Sequence, residues 1–485
     1  MYLYNTIARK KQEFVPLNNN TVHMYVCGIT AYDYCHIGHA RSAVVFDVLV
    51  RYLRSLGYKV KFVRNFTDID DKIIKRAQKE GLTTEQVAEK YIQAFYEDMD
   101  KLNILRPDIE PRATEHIQEM IDLIQVLEEK GYAYRTKSGD VYFRVRKFKD
   151  YGRLSGRNIE ELQAGARINP GEEKEDPLDF ALWKAAKPGE PKWNSPWGEG
   201  RPGWHLECSA MSAKYLSQPF DIHGGGQDLA FPHHENERAQ SEAAYEQEFV
   251  RYWVHNGFVQ ISAQKMSKSL GNFVTIRDIL NNYLPEVLRF FLLTKHYRSP
   301  LDYSADALDE AEKALKRIYV AKELLENKLE SSKWSKTKLP EEIFAELKSL
   351  EQKWQEAMDD DLNTAKALGY IFNTIRLAGR VLENKSWRKS EQTKELCQQI
   401  LNILDKWGNI LGLFTQESAT FLKDLRDIKL RRKNIDPDQV NELVQKRQEA
   451  RKAKDFALAD KVREELTNMG IEVKDTPAGP VWDIV

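Results

Sequence analysis

Between residues 22 and 63 the chain changes its hydrophobic rhythm twice. Val22 to Cys27 is rich in β-branched and apolar residues, the composition of a strand. After a polar turn, Ala40, Val44, Val48, Leu49 and Tyr52 recur at a spacing that puts them on one face of a helix. Gly57 offers the left-handed conformation that ends helices, and Lys59 to Val63 forms a second strand. This order predicts a parallel strand pair with a right-handed helical crossover, hence an α/β fold. Ligands of such sheets bind beyond the carboxyl ends of the strands, the edge that Cys27 and residues 36–39 should occupy.

From about Arg106 to Pro196 the pattern is different. A helical stretch, Glu115 to Lys130, precedes a strand-like Val141–Val145. A Gly-, Pro- and charge-rich run follows, carrying Trp183 and Trp193 with Trp197 just beyond. We expect an insertion, about 107–196, between two halves of a nucleotide-binding sheet. The second half resumes near Gly203, with Phe220–His223 as strand, Pro232–Glu246 as helix and Tyr252–Ser262 as strand. Beyond Leu301, Leu308, Ala311, Leu315, Ile318 and Leu325 share a helical face. Similar stripes run through Ile343–Leu382 and Leu396–Leu411, the signature of a helix bundle. A polar break, Thr415–Thr420, leads to a charged segment with basic clusters at Lys429–Lys433 and Lys446–Lys454. The expected architecture is α/β: a Rossmann-like parallel-sheet domain over 1–300 with its insertion, a bundle over 301–415, and a small, mostly helical domain over 416–485.

Composition changes this picture little. The 485 residues are 42% hydrophobic and 30% charged, enough for several cores. The longest apolar stretch, Ser42–Leu53, is interrupted by Asp47 and Arg51 and is too short to span a bilayer. The N-terminus lacks a basic region followed by an apolar run, so a cytoplasmic protein is expected. With 73 Lys+Arg against 74 Asp+Glu, any contact with RNA must come from local basic clusters. Four cysteines, at positions 27, 35, 208 and 397, make no disulfide framework, which raises metal or catalytic use.

Two short segments carry the candidate chemistry. His36-Ile-Gly-His39 opens the first helix, and Lys265-Met-Ser-Lys-Ser269 lies far downstream. Two imidazoles at a helix N-terminus, with Gly38 allowing close approach, can hold the phosphates of ATP. A loop bringing Lys265 and Lys268 to the developing charge suits nucleotidyl transfer. His233 and Glu237, four apart on a helix, can grip one ion. With Cys27 and Cys208 they make a plausible zinc set, although each thiol also fits a plain core position. His234, four residues before Arg238, reads as a residue supporting the ligands from behind or as structural. Cys35 and Cys397 read as packing residues, and Lys72 and Lys75 as a solvated helix face.

The two signatures, in this order, resemble those of class I aminoacyl-tRNA synthetases. Cys27-Gly-Ile-Thr30, Gly203-Trp-His-Leu-Glu-Cys208, His223-Gly-Gly-Gly-Gln-Asp228 and Phe231-Pro-His-His-Glu-Asn-Glu237 resemble the cysteinyl-tRNA synthetase family. So do Lys454–Asp460 and Met469–Asp475, so the resemblance covers essentially the whole chain. It implies one zinc ion on Cys27, Cys208, His233 and Glu237, holding a substrate thiolate. It also implies Mg-ATP at His36, Gly38, His39, Lys265 and Lys268, and a bound amino acid near Thr67, Trp204 and His223. L-cysteine, ATP and tRNA(Cys) are the implied partners, with the C-terminal domain reading the anticodon of a tRNA bound by a monomer. Zinc has a physical reason here: serine differs from cysteine by one atom, a difference that an apolar pocket turns into only ~1–3 kcal/mol. A soft thiolate is strongly preferred by zinc. Two rivals are a ligase of this fold joining cysteine to a small amine, and a non-catalytic RNA-binding relative.

Overall fold

The computed structural model describes residues 1–160, 173–261, 264–265, 273–330, 334–476 and 479–484. At its centre four parallel strands lie in the spatial order Val250–Asn256, Phe220–Gly226, Thr21–Val26, Lys59–Arg64. Strands from the two halves of the sequence are thus neighbours, and the point where the order reverses falls beside Cys27. The helix Ile37–Ser55 covers one face; Ala40, Val44, Val48, Leu49 and Tyr52 are all buried there, as their spacing requires. Gly57, at φ +92°, turns the chain into the next strand.

The insertion is more regular than its composition suggests. Ala133–Arg135, Val141–Phe143, Phe180–Ala185 and Gly200–Pro202 form an antiparallel sheet, with Trp183 and Trp197 buried against it. Strands of three residues are too short to carry a visible alternation. The expected strand Tyr252–Ser262 is broken into Val250–Asn256 and Val259–Ile261. Gly257 marks the break: a Cβ there would lie 2.5 and 2.8 Å from the carbonyl oxygens of Arg298 and Ser299. The second piece pairs in parallel with Leu301–Tyr303 and antiparallel with Gln264–Lys265. The expected helix Pro232–Glu246 begins at Glu235, because Phe231 is extended (φ −144°, ψ 132°) and an irregular turn precedes it.

Four long helices, Ala305–Leu329, Glu341–Asp359, Thr364–Glu383 and Glu391–Leu411, form the bundle, with Trp354 and Trp407 stacked in its core. The helix Ser418–Arg432 packs on it through Phe421 and Tyr319, whose rings stack at 3.7 Å. Lys429 is buried, donating to the Ile484 carbonyl near Glu312, and Arg432 pairs with Glu312. Part of the first basic cluster therefore docks this helix and does not face solvent. Pro437–Lys452, Phe456–Asn468 and a hairpin, Ile471–Thr476 with Gly479–Ile484, enclose a separate small core.

A buried ion pair of the sheet domain, Arg289 with Asp47, also reaches the bundle through a backbone carbonyl. Arg289, 1% exposed, donates to the carbonyls of Leu411 (2.8 Å), Leu102 (2.9 Å) and Asn103 (3.0 Å) and to Asp47 of the first helix. Asp47 also accepts from the Leu105 amide and from Arg51, both at 2.8 Å. Removing one partner leaves a guanidinium buried without its counter-charge, so Asp47→Ala should cost about 3–5 kcal/mol. Urea unfolding followed by tryptophan fluorescence checks this; a change below about 1 kcal/mol would contradict it.

Candidate metal centre and active-site cavity

Four separate segments bring their donors to one point. Cys27 follows the strand Thr21–Val26, Cys208 sits in the first turn of the helix Leu206–Leu216, and His233 and Glu237 flank the start of Glu235–Tyr245. Cys27 Sγ lies 3.5 Å from Cys208 Sγ and 3.4 Å from Glu237 Oε1. His233 Nε2 lies 3.7 Å from Cys208 Sγ and 2.9 Å from Glu237 Oε1. Bonds of about 2.0–2.3 Å to zinc imply tetrahedral donor separations of about 3.3–3.8 Å. The sulfur distances already match, and the shorter N–O distance is that of a hydrogen bond.

Electrostatics explain how these groups coexist. Burial alone would raise the Glu237 carboxyl, but His223 and His233 hold it well below the usual range. Burial opposes charge on His233 too, yet Glu237 and Cys208 lift it to about 10. Cys208 is likewise resisted by burial and brought down to about 6 by a hydrogen bond from Cys27 and by His233. Cys27 is pushed well up, first by burial and then by Cys208. The cluster is therefore a thiolate, a carboxylate, an imidazolium and one thiol, with a proton on His233 in the cation's place.

A second donor set shares Cys27 and Glu237 but takes His223 and His234 instead. The outward nitrogens distinguish the two, since a metal-bound imidazole normally gives its other N–H to a partner. His233 Nδ1 faces His205 Nδ1 at 3.0 Å. His223 Nε2 donates to Glu237 Oε2 at 2.7 Å, while its Nδ1 is buried without a partner. His223 thus fits a support for Glu237 better than a ligand, which favours Cys27, Cys208, His233 and Glu237. His234 is held neutral by burial, as is His255, which is lowered to about 3.

Cys27, Cys208 and His233 line a cavity of about 580 Å³ that His36, Gly38 and His39 also line. Gly28 is required at its wall, because a Cβ there would fall 1.5 Å from the Asn65 carbonyl oxygen. Trp204, 39% exposed, stacks on His233 with centroids 4.3 Å apart. Thr67 lies on the cavity and donates to Glu207 Oε2 at 2.6 Å. Burial raises Glu207 well above the carboxylate range. His223 lies behind this wall and is not part of the lining.

His36 and His39 cap their own helix. His36 Nδ1 accepts from the Gly38 amide at 3.1 Å, His39 Nδ1 from the His36 amide at 3.2 Å, and the rings stack at 3.8 Å. Both protons are thereby assigned to Nε2, a donor. The segment is zipped to the chain just beyond the lysine loop, Ile37 N to Val274 O (3.1 Å) and Ile276 N to Cys35 O (2.9 Å). Lys265 has its backbone in a short strand opposite Gln260, whereas Lys268 lies outside the described residues.

Several neighbours of the site leave little trace in sequence patterns. Lys72 lines the cavity, with its ammonium 5.4 Å from the Tyr32 ring centre, instead of lying on a purely solvated face. Spacing alone gives His205, Glu207 and His255 no place at the site, whereas His234 stands behind Cys27 at 3.3 Å, the supporting position expected of it. The available signal was density: five of the ten histidines fall at positions 205, 223, 233, 234 and 255.

A family model of the tRNA synthetase class I (C) catalytic domain matches residues 13–313. A DALR domain matches 353–415, and a cysteinyl-tRNA ligase anticodon binding domain matches 437–482. The cysteine–tRNA ligase of Maridesulfovibrio salexigens is 66% identical over 485 residues, covering 100% of both chains. The chain belongs to the cysteine–tRNA ligase family. The Lawsonia intracellularis member is 54% identical, again covering 100% of each chain. Among solved structures, methionyl-tRNA synthetase of Mycobacterium tuberculosis with methionyl-adenylate matches with a TM-score of 0.65 at 15% identity. It covers 87% of this chain and 95% of its own, and shares the class I fold.

The charge pattern makes a prediction for the metal-free protein. At pH 7 Cys208 should be alkylated by iodoacetamide before Cys27, Cys35 and Cys397, with a rate that rises toward pH 6 and then levels. Peptide mapping by mass spectrometry checks the order; modification of Cys27 first would contradict it.

Proposed function

We propose that this chain ligates L-cysteine to tRNA(Cys) at the expense of ATP, through a cysteinyl-adenylate formed in the 580 Å³ cavity. The observation that carries the reading is that one cavity is lined both by a soft metal-donor cluster and by the two histidines of a phosphate-binding helix start. The donors fit zinc in kind and spacing, and Cys27, Cys208, His233 and Glu237 would hold one ion per chain. When bound, it supplies a soft Lewis acid that selects a thiolate over the hydroxyl of serine.

The protein groups do the rest. His223 fixes one Glu237 oxygen and leaves the other toward the cluster. Trp204, stacked on His233, closes the amino-acid end, and Thr67 is oriented by Glu207. His36 and His39 present Nε2–H groups for the phosphates of Mg-ATP, and the helix contributes its dipole, since its first amides are already bonded to His36, His39 and Val274. Lys265 and Lys268 stabilise charge as the α-phosphate is attacked by the cysteine carboxylate and pyrophosphate leaves. The terminal ribose of tRNA then displaces AMP. The reading includes a cytoplasmic monomer with a catalytic unit over 1–300, its insertion at about 107–196, a bundle over 301–415 and an anticodon-reading unit over 416–485. Among the described residues, no helix is long and apolar enough to cross a membrane. Cysteine-driven ATP–pyrophosphate exchange together with tRNA(Cys) charging tests the function; exchange without charging would overturn it.

The assigned roles fix two further outcomes. At pH 7 Cys27 and His233 carry protons that zinc must displace, whereas Cys208 and Glu237 do not. Zinc uptake should release about two protons, so affinity should rise about 100-fold per pH unit near neutrality. Calorimetry in buffers of different ionisation enthalpy measures this; release of none would contradict it. A chain ended after Asn434, beyond the helix that packs on the bundle, should still exchange pyrophosphate. It should charge tRNA far more weakly through lost RNA affinity, which filter binding would report.

A further inference from the structure

His255, next to last in the strand Val250–Asn256, belongs to neither donor set, yet is joined to Cys27 through His234 by an unbroken chain of hydrogen bonds. Thr6 Oγ1 lies 2.7 Å from His255 Nδ1, His255 Nε2 lies 2.8 Å from His234 Nδ1, and His234 Nε2 lies 3.3 Å from Cys27 Sγ. Both imidazoles are buried, 6% and 0% exposed. Thr6 is itself held in place by the N-terminal strand Tyr2–Asn5. Its amide donates to the Trp253 carbonyl (2.9 Å), and Asn5 uses its side chain to accept from the Trp253 amide (3.0 Å) and donate to the Arg251 carbonyl (2.9 Å).

The direction of this chain follows from its last member. A thiolate can only accept, so once Cys27 is ionised His234 must carry its proton on Nε2. His234 Nδ1 is then an acceptor, which requires His255 to donate from Nε2. His255 Nδ1 is left as an acceptor in turn, and the Thr6 hydroxyl supplies the donor. One charge at Cys27 therefore sets the tautomers of two histidines and the rotamer of one threonine.

We infer that Thr6 and His255 are positioning residues for the metal centre, acting through His234 to aim an N–H at the Cys27 thiolate and so to tune its strength as a ligand. This deepens the zinc reading of the proposed function and rests on it. The N-terminal hairpin gains a role that its distance in sequence from the cluster conceals: it terminates the hydrogen-bond chain behind a ligand. Without the Thr6 hydroxyl His255 is free to turn its proton toward Nδ1. His234 then loses its donor and can present a bare nitrogen to the sulfur, which repels it.

The test uses the full-length protein and the variants Thr6→Val, His255→Phe and His255→Gln. Zinc affinity is measured by competition with a chromophoric chelator. The cobalt-substituted forms report the thiolate-to-cobalt charge-transfer band, and metal-free melting curves report folding. Loss of such outer partners weakens metal binding about 10–100-fold, which is the effect expected for His255→Phe, with a smaller effect for Thr6→Val. The charge-transfer band should shift in both, metal-free melting should not, and His255→Gln should recover most of the affinity, since its amide can still donate to His234. Wild-type zinc affinity and an unshifted band in both Thr6→Val and His255→Phe would overturn the inference while leaving the zinc reading intact. An affinity that falls only in step with metal-free stability would overturn it equally. Wild-type protein that takes up no zinc would overturn the zinc reading and this inference with it.

Discussion

A single carboxylate, Glu237, organises the centre of this molecule. It is fully buried, and an ionised group in that position is tolerated only when paired and hydrogen-bonded on every side. One oxygen meets His233 and Cys27, and the other meets His223. These partners come from the end of the first strand of one half-sheet, the first strand of the other and the turn before a helix. The pairing therefore closes the two halves on each other at the point where strand order reverses.

The end of the cavity at His36 and His39 is built on a different principle. His36 and His39 use one nitrogen each to cap their own helix, which fixes both rings and assigns each proton to Nε2. Arg41, fully buried, reinforces this: its guanidinium donates to the carbonyls of Phe258 (2.7 Å), Tyr297 (3.2 Å) and Ser299. It thereby ties the helix to the strand from which the lysine loop departs. Both chain ends of that loop are anchored to the signature segment or to its neighbouring strand.

Much of this is legible in the sequence alone, for identifiable reasons. A long amphipathic helix leaves a strong repeat, so Ile37–Ser55 and the bundle stripes are visible, and their marked residues are buried. In the insertion Val141–Phe143 shows as a strand-like run, whereas the equally short Ala133–Arg135 and Leu301–Tyr303 leave no visible alternation. The break at Gly257 depends on backbone oxygens about forty residues away, a contact that no local pattern encodes. Spacing offers His233 and Glu237 as partners, but His234 stands three residues from Glu237 and shares nearly the same helical face. The outward nitrogens separate ligand from support here, and they are a property of the folded chain. Lys429 shows the converse: it reads as a phosphate contact in sequence and is a buried docking residue in the fold.

The central claim is that Cys27 and Cys208, with His233 and Glu237, form a thiolate-selective metal centre with room for one further sulfur. X-ray absorption at the zinc edge of the loaded protein measures this directly. Two sulfur and two nitrogen or oxygen neighbours are expected in the free protein, three sulfurs after L-cysteine is added, and still two after L-serine. A single sulfur with additional imidazoles, or a sulfur count that L-cysteine leaves unchanged, would contradict the account.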